Sequence, residues 1–334
     1  MASGLRFGFG FDLRNPAQWH RPFPELYAET LDFIAAIDAM GFGGVWLAEH
    51  HGIDDGYNPS PFVFGAAVAA RTRSLRISSG VALAPFYHPV RMAENLAVLD
   101  AISNGRVDFA PGLGYLPWEA EAYGFNLRDR GRITDEILSI VGRLWTGESV
   151  THAGEFFSIR NARCRPLPVQ QPGIPIFVGG SARPGLRRAA RLGDGYIGTP
   201  LFWPQYLEEM RACGRPEADA RIVCMDGANM WIVVSEDPER TLHAVAPHAH
   251  YQINTYAEWQ EHDAVGFKQM DLETFKQTGA LKVFTPEQAI AYIRQQQELA
   301  PIEGFCMQIP AGYPLPLMLE HAELFARKVM PAFI

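Results

Sequence analysis

Short apolar runs alternate along the chain with segments whose apolar residues recur at helical spacing, and this alternation limits the possible folds. The predicted strands are short and apolar, and lie at residues 7–11, 45–51, 75–83, 106–110, 174–178, 194–198, within 225–234 and at 304–309. Helices are predicted between them, at residues 24–40, 61–73, 90–102, 134–145, from about 185, at 286–299 and at 317–333. Strands that alternate with helices form parallel sheets, and this pattern indicates an α/β fold, a (β/α)₈ barrel.

The length of 334 residues permits one such barrel or two average domains. No low-complexity tract or shift in composition marks a boundary, so residues 1–334 are assigned to one domain. Residues 147–172 combine an alternating strand with a proline-rich return and are expected to form an insertion. Residues 261–285 lose clear periodicity and are expected to form a mobile lid over the barrel mouth.

Composition favours a protein that acts on small molecules. The formal net charge is −8 and the arginines are scattered, which argues against binding to nucleic acid or to an anionic membrane. No apolar run is long enough for a membrane span, and the first residues lack a secretory signal, so a cytoplasmic location is expected. The four cysteines are scattered without a C-x-x-C pair, which favours reduced thiols.

The predicted strand at residues 45–51 ends in Glu49, His50 and His51, an acid followed by two imidazoles. Side chains alternate across a strand, so His50 shares a face with Trp46 while His51 shares the other face with Glu49. Ligand pairs on a strand usually lie two residues apart, and therefore adjacent histidines disfavour a metal site. A functional cluster and a solvated strand end remain equally open from residue types alone.

Three further clusters follow predicted strands. His88 lies where the third strand leads into a helix, and the turn with Gly112 and Gly114 follows the fourth strand. This turn is not a dinucleotide fingerprint, because Pro117 stands where the third glycine of G-x-G-x-x-G is required. The fifth strand leads through residues 179–183 into a helix, an arrangement suited to a phosphate group. Arg183 could add charge there or be a solvated surface arginine.

Several of these pieces together resemble the bacterial luciferase family of flavin-dependent monooxygenases. The resemblance rests on Glu49-His50-His51, Asn58-Pro59, His88-Pro89-Val90-Arg91, Ala93-Glu94-Asn95, Asn104-Gly105-Arg106 and the glycine-rich turn, all in family order. It extends more weakly over the whole chain. The family implies a (β/α)₈ barrel that binds reduced FMN, or in one branch a deazaflavin, at its C-terminal mouth.

The resemblance also implies roles for individual residues. Catalysis is expected from His50, because the first histidine of this motif supports catalysis in the family. His88 and Glu49 are expected to act beside it. Flavin binding is expected from residues at the strand ends and phosphate loop, namely Gly80, Val81, Gly112, Gly114, Gly180, Ser181 and Arg183. A non-prolyl cis peptide bond is expected near Gly80-Val81. His51 is expected to turn away from the mouth.

The leading hypothesis is a monooxygenase that uses O₂ and reduced FMN to oxygenate an organic, apolar small molecule. The chain has no nicotinamide fingerprint, so a separate flavin reductase is expected as a partner, and the chain itself is expected to form a homodimer. The alternatives are a deazaflavin-dependent hydride-transfer enzyme and a non-catalytic flavin-binding protein. Aromatic residues near predicted strand ends, among them Phe86 and Tyr115, suggest an apolar or aromatic ligand but could equally belong to the core.

Overall fold

Fourteen strands are present in the computed structural model, which describes residues 4–225, 231–260 and 268–333. In chain order they are β1 (Arg6–Phe11), β2 (Gly44–Leu47), β3 (Arg76–Ser79), β4 (Ala82–Leu83), β5 (Val107–Asp108), β6 (Pro111–Gly112), β7 (Val150–Ala153), β8 (Ser158–Ala162), β9 (Phe177–Gly179), β10 (Gly195–Gly198), β11 (Ile222–Cys224), β12 (Trp231–Val234), β13 (Leu281–Phe284) and β14 (Ile302–Gln308).

Eight of these strands form one parallel sheet in the order β5-β3-β2-β1-β14-β11-β10-β9. A parallel bridge between Phe109 and Ile176 joins the two edge strands, so the sheet curves into a nearly closed barrel. The pair β4-β6 follows the ends of β3 and β5, and the pair β12-β13 lies outside the eight-stranded sheet. The predicted (β/α)₈ barrel is confirmed.

Eleven α-helices connect the strands of the described residues, and most form the outer layer of the barrel. They are α1 (Phe23–Ala39), α2 (Pro61–Arg71), α3 (Pro89–Ser103), α4 (Pro117–Ala122), α5 (Arg130–Trp145), α6 (Arg183–Leu192), α7 (Trp203–Ala212), α8 (Pro238–Trp259), α9 (Leu272–Gln277), α10 (Pro286–Leu299) and α11 (Leu315–Lys328). Helix ends follow local signals: Asn104 is left-handed after α3, and Thr285 forms a capping box with Gln288 at the start of α10. None of the described helices is long and apolar enough to cross a membrane.

The structure corrects the position of the seventh barrel strand. Its sequence-based position lies within residues 225–234, whereas the barrel uses β11, which ends at Cys224. β12 falls inside the predicted range but pairs with β13. β11 has only three residues and carries little periodic signal, while β12 is the longer apolar run.

The segment 261–285 also differs from expectation over the part that the structure describes. Residues 268–285 contain α9 and β13, and Phe275 of α9 is fully buried. Residues 261–267 lie outside the described part of the chain, so a moving lid stays a prediction. The predicted insertion at 147–172 contains the antiparallel hairpin β7-β8.

Trp46 fills the interior of the barrel. It packs with residues from other strands in a buried apolar cluster: Ala110, Phe177, Ile197, Val223 and Cys306. Two glycines pack against Trp46, since a Cβ at Gly8 of β1 would lie 3.0 Å from its ring and a Cβ at Gly80, just after β3, would lie 2.6 Å from its Cβ. The barrel interior is therefore a packed core and not a pore.

Ion pairs lie at the N-terminal ends of the strands, on the opposite side of this cluster from the barrel mouth. Arg6 contacts Asp108 at 3.0 Å and Glu303 at 2.6 Å. Arg76 contacts Asp108 at 2.6 Å, and Arg221 contacts Glu303 at 2.8 Å. Because each carboxylate is shared by two arginines, the strand starts are linked into one network.

Candidate active site

His50 lies just after β2, on the side of the chain that faces the barrel mouth. Trp46, four residues earlier, faces the interior, and the alternation of side chains puts His50 on the same face. The His50 backbone N–H donates to the carbonyl of Asn58 at 3.2 Å, and the Asn58 amide donates to the carbonyl of Ala48 at 2.9 Å. The Asn58-Pro59 loop thus holds the backbone that carries the imidazole.

The His50 imidazole is buried and paired with a carboxylate. Its Nδ1 lies 2.9 Å from Oε1 of Glu119, which also accepts the His51 backbone N–H at 2.7 Å. Glu119 belongs to α4 and is 1% exposed. A carboxylate that binds Nδ1 orients the ring, which leaves Nε2 for proton exchange with a bound molecule.

Three aromatic rings surround His50. The ring centroids of Tyr57, Trp259 and Tyr115 lie 4.9, 5.1 and 5.3 Å from that of the imidazole. Tyr115, expected near a strand end, is therefore part of the wall beside His50. These rings limit the access of water to the histidine.

His51 points to a different set of partners. Its Nε2 lies 3.1 Å from Oε1 of Glu49, its Nδ1 lies 2.9 Å from the hydroxyl of Tyr123, and its ring packs on Phe86. Both ring nitrogens already have partners, so His51 is less suited than His50 to exchange protons with a substrate.

Glu49 connects the end of β2 with β4. One carboxylate oxygen accepts the Leu83 backbone N–H at 2.6 Å, and the other accepts the Tyr87 hydroxyl at 2.6 Å in addition to the contact with His51. Burial and the Glu49 charge raise the pKa of Tyr87, which keeps its hydroxyl a donor. These bonds fit a positioning role better than the catalytic role expected from the sequence.

The structure does not bring His88 into this cluster. The side chain is exposed at the start of α3, and its ring lies 5.7 Å from that of Phe157, next to the hairpin β7-β8. The neighbouring Tyr87 is the residue that reaches Glu49. We therefore leave His88 out of the candidate catalytic set.

The expected flavin-binding residues Gly80 and Val81, just before β4, lie beside Gly112 of β6 at the mouth. The peptide bond Gly80-Val81 is cis, as predicted. The Val81 side chain lies between two glycines, since a Cβ at Gly112 would overlap Cγ2 of Val81 and a Cβ at Gly179 would lie 3.5 Å from Cγ1. Gly114 has φ +70° and faces Phe86. The two glycines therefore allow the Val81 side chain to pack closely between β6 and β9.

The loop after β9 leads into the N-terminus of α6. Gly180 has φ +151°, and its carbonyl accepts the Tyr196 hydroxyl at 2.8 Å. Ser181 is exposed. Arg183 is exposed as well, and its Nε donates to Glu209 at 2.6 Å. Backbone N–H groups at a helix N-terminus bind phosphate, so this loop is suited to a phosphate group, as the sequence predicted.

Four charged residues of the mouth that the sequence reasoning missed are Asp12, Arg14, Asp55 and Glu119. Asp12 and Arg14 follow β1 directly and are 4% and 2% exposed. Arg14 Nε donates to Oδ2 of Asp55 at 2.6 Å. Charged residues directly after a barrel strand are the signal that could have identified the first two.

No group of three or more histidine, cysteine, aspartate or glutamate side chains among the described residues is arranged to hold a metal ion. The four cysteines are free thiols.

The chain matches one protein family over most of its length. The sequence profile of the luciferase-like monooxygenases covers residues 6–301. Limonene 1,2-monooxygenase from Rhodococcus erythropolis is 26% identical over 332 residues, 95% of this chain and 85% of that enzyme.

Two other relatives match over shorter lengths. The oxygenase component of the flavin-dependent trigonelline monooxygenase from Acinetobacter baylyi is 33% identical over 156 residues, 46% of this chain and 43% of that protein, so the chain spans less than half of this relative. A coenzyme F420-dependent glucose-6-phosphate dehydrogenase from Microbacterium testaceum is 32% identical over 195 residues, 54% of this chain and 55% of that enzyme.

Among solved structures, the monooxygenase RslO1 from Streptomyces bottropensis superposes with a TM-score of 0.78. It is 26% identical and covers 98% of this chain and 99% of its own.

Proposed function

Because the chain belongs to the luciferase-like monooxygenase family, we propose that it is a flavin-dependent monooxygenase that uses reduced FMN and O₂ to oxygenate an organic small molecule. One oxygen atom enters the substrate and the other leaves as water, while reduced flavin supplies the two electrons and is oxidised. A separate reductase supplies the reduced flavin. The relatives named for monooxygenase activity support this proposal, and limonene monooxygenase aligns over 95% of the chain.

The observation that carries the proposal is the buried pair of His50 and Glu119 across the mouth from the loop at residues 179–183. In the barrel order, β1 and β2 lie opposite β9 and β10. The loop at residues 179–183 would hold the phosphate of FMN, and Val81 with its glycine neighbours would contact the flavin ring, which would supply the electrons for the reaction. His50 would then hold or accept a proton at the substrate, and its aromatic neighbours would exclude water.

A coenzyme F420-dependent hydride-transfer reaction is the second candidate function. The relative from Microbacterium testaceum favours it, although that match covers 54% of the chain. A non-catalytic flavin-binding protein is less favoured, because such a protein has no need of a buried, carboxylate-paired imidazole at its mouth.

Direct comparison of the two cofactors tests the proposal. The purified protein is titrated anaerobically with reduced FMN and with reduced coenzyme F420, and O₂ uptake is then followed. We expect reduced FMN to bind with a Kd in the micromolar range and F420 to bind more weakly. The rate at which reduced FMN takes up O₂ should differ between the bound and the free cofactor. Binding of F420 without binding of FMN would replace the proposal with the second candidate, and binding of neither would contradict both.

The homodimer expected from the family resemblance stays a prediction. Light scattering after gel filtration should give twice the 37.1 kDa mass of the chain.

A further inference from the structure

A groove on the outer side of the barrel lies between α6 and α7, and its charged residues are mostly arginines. It has a volume of about 560 Å³ and contains Arg183, Arg187, Arg191, Arg215 and Glu209. These residues carry a formal charge of +3, whereas the whole chain carries −8. Positive charge concentrated in one place on an acidic protein attracts anions to that place. We call this surface the arginine groove.

A buried carboxylate holds two of the arginines in position. Nε of Arg183 lies 2.6 Å from Oε1 of Glu209, and Nε of Arg187 lies 3.1 Å from Oε2. The Glu209 side chain is 4% exposed, whereas those of Arg183 and Arg187 are 74% and 55% exposed. Each arginine uses only Nε in this contact, so its Nη groups are left for an acceptor at the surface. Because both side chains are already oriented, they lose less entropy when an anion binds.

The other end of the groove has no such carboxylate. Nη1 of Arg215 donates to the carbonyls of Ala190 and Gly193 at 2.9 and 2.8 Å, which fixes it beside the end of α6. Arg191 is exposed, and its guanidinium has no partner among the described residues. Glu209 is the single acid among the described residues that line the groove. The charges of Arg191 and Arg215 are therefore available to a bound anion.

The arginines of α6 form a row with regular spacing. Arg183, Arg187 and Arg191 are four residues apart, so they lie on one side of the helix at steps of about 6 Å along its axis. In an extended peptide, side chains on one face are two residues apart, which is about 6.6 Å. Alternate carboxylates of an extended segment therefore match the row. The linked phosphates of a nucleotide are closer together than one step of it.

The uncharged part of the lining distinguishes a peptide from a nucleic acid. Single-stranded nucleic acids bind in basic grooves that also carry aromatic side chains, on which the bases stack. The uncharged residues of this groove are Ala190, Ala212 and Cys213, so none of its described lining residues has a ring. Their small side chains allow a peptide backbone to approach both helices.

We propose that the arginine groove docks an extended acidic segment of a partner protein, with alternate Asp or Glu side chains along the row of Arg183, Arg187 and Arg191. The Nη groups of each arginine donate to a carboxylate of the segment. Under the proposed function the partner would be the flavin reductase, because the groove begins at the loop that would hold the phosphate of FMN. Only this assignment to the reductase rests on the proposed function.

The thiol of Cys213 gives a local measurement of binding. Cys213 is exposed and lines the groove, whereas Cys164, Cys224 and Cys306 are buried. Flavin-free protein is treated with the neutral reagent dithiodipyridine at low ionic strength. The extent to which a peptide slows the modification of Cys213 then gives the Kd of that peptide.

Two peptides of equal composition and charge test the spacing. In acetyl-Glu-Gly-Glu-Gly-Glu-amide all the carboxylates lie on one face of the extended chain, whereas in acetyl-Gly-Glu-Glu-Glu-Gly-amide one lies on the opposite face. We expect the alternating peptide to bind about threefold more tightly, which is within the range that one exposed ion pair contributes. The difference should disappear in about 0.5 M NaCl, because salt screens exposed charges.

The variant Arg191→Gln removes the last arginine of the row and should bind the two peptides equally. Because Arg191 has no described partner, this change should leave the melting temperature as in the wild type. Arg160→Gln is the matched control, since Arg160 is an exposed arginine of β8 outside the groove. It changes the net charge by the same amount and should keep the preference for the alternating peptide.

The inference is overturned if the wild type binds both peptides equally or binds neither, if Arg191→Gln keeps the preference, or if Arg160→Gln loses it. Tetrathymidylate and pyrophosphate carry about the same charge as the peptides, and tighter binding of either one would assign the groove to nucleic acid or to a small anion instead. Preferential binding of the alternating peptide by a protein that does not respond to reduced FMN would remove the proposed function and leave the docking surface standing.

Discussion

The substitution Asp12→Asn tests whether the buried carboxyl group of Asp12, beside Arg14, loses its proton at mildly acidic pH. Asp12 accepts the Gln252 amide at 2.6 Å and the Arg14 backbone N–H at 3.2 Å. Burial raises the pKa of Asp12 from 3.8 to about 6, although the nearby guanidinium acts in the opposite direction. Folding therefore favours the protonated form of this carboxyl group.

The size of the effect follows from this pKa. A rise of about two units corresponds to about 3 kcal/mol of unfolding free energy. Because the folded-state pKa is the higher one, the stabilisation is complete below 3.8 and is lost as the pH rises through about 6. Asparagine does not titrate, so the unfolding free energy of the wild type minus that of Asp12→Asn should fall by about 2 kcal/mol between pH 4.5 and 7.5.

Urea unfolding followed by tryptophan fluorescence measures this difference at several pH values across that range. Asp54→Asn is the control, because it removes one carboxylate from an exposed position of the same loop as Asp55. A difference for Asp12→Asn that stays constant, or that rises with pH, would refute the assignment of a raised pKa to this group.

Three further substitutions test the site. His50→Ala should slow product formation by about 10²–10⁴-fold and release more hydrogen peroxide while FMN affinity is kept, since a positioned acid–base group contributes about that much; a larger loss of turnover in His51→Ala would contradict this. Glu49→Gln should lower the unfolding free energy, measured in urea, by about 2–4 kcal/mol, because an amide N–H would face the donors that now bind the carboxylate. A loss below about 0.5 kcal/mol would show that these hydrogen bonds contribute little to stability. Gly112→Ala would place a methyl group against Val81 and should weaken FMN binding about tenfold by the cost of overpacking; an unchanged Kd in a fluorescence titration would disprove this.

Most of the barrel could be predicted from the sequence because its strands and helices have different periodicities. Helix α10 matches its predicted range fully, since Pro286 marks its first turn. The short strand β11 could not be recognised, because three residues do not establish a period of two. Its place in the sheet depends on pairing with β10 and β14, which is tertiary information.

The parity of β2 predicted the direction of His50, and the structure places its imidazole beside Glu119, while its catalytic role stays a prediction. The sequence reasoning missed Glu119 and Arg14, because burial of a charged residue is not visible in residue type. Arg14 looks like one of many arginines until the fold surrounds it with Tyr57 and Trp259. His88 was singled out by its motif, and the structure instead shows it exposed.

The filled barrel interior determines how molecules reach and leave His50. Trp46 and its apolar neighbours close the barrel below the site, and the arginine–carboxylate network closes it again at the strand starts. In the part of the chain that the structure describes, the route to the His50–Glu119 pair therefore begins at the C-terminal face. Under the proposed function, flavin, substrate and oxygen would share this one entrance. A molecule that binds later would then lie in the path of one that bound earlier, so binding and release would follow a fixed order.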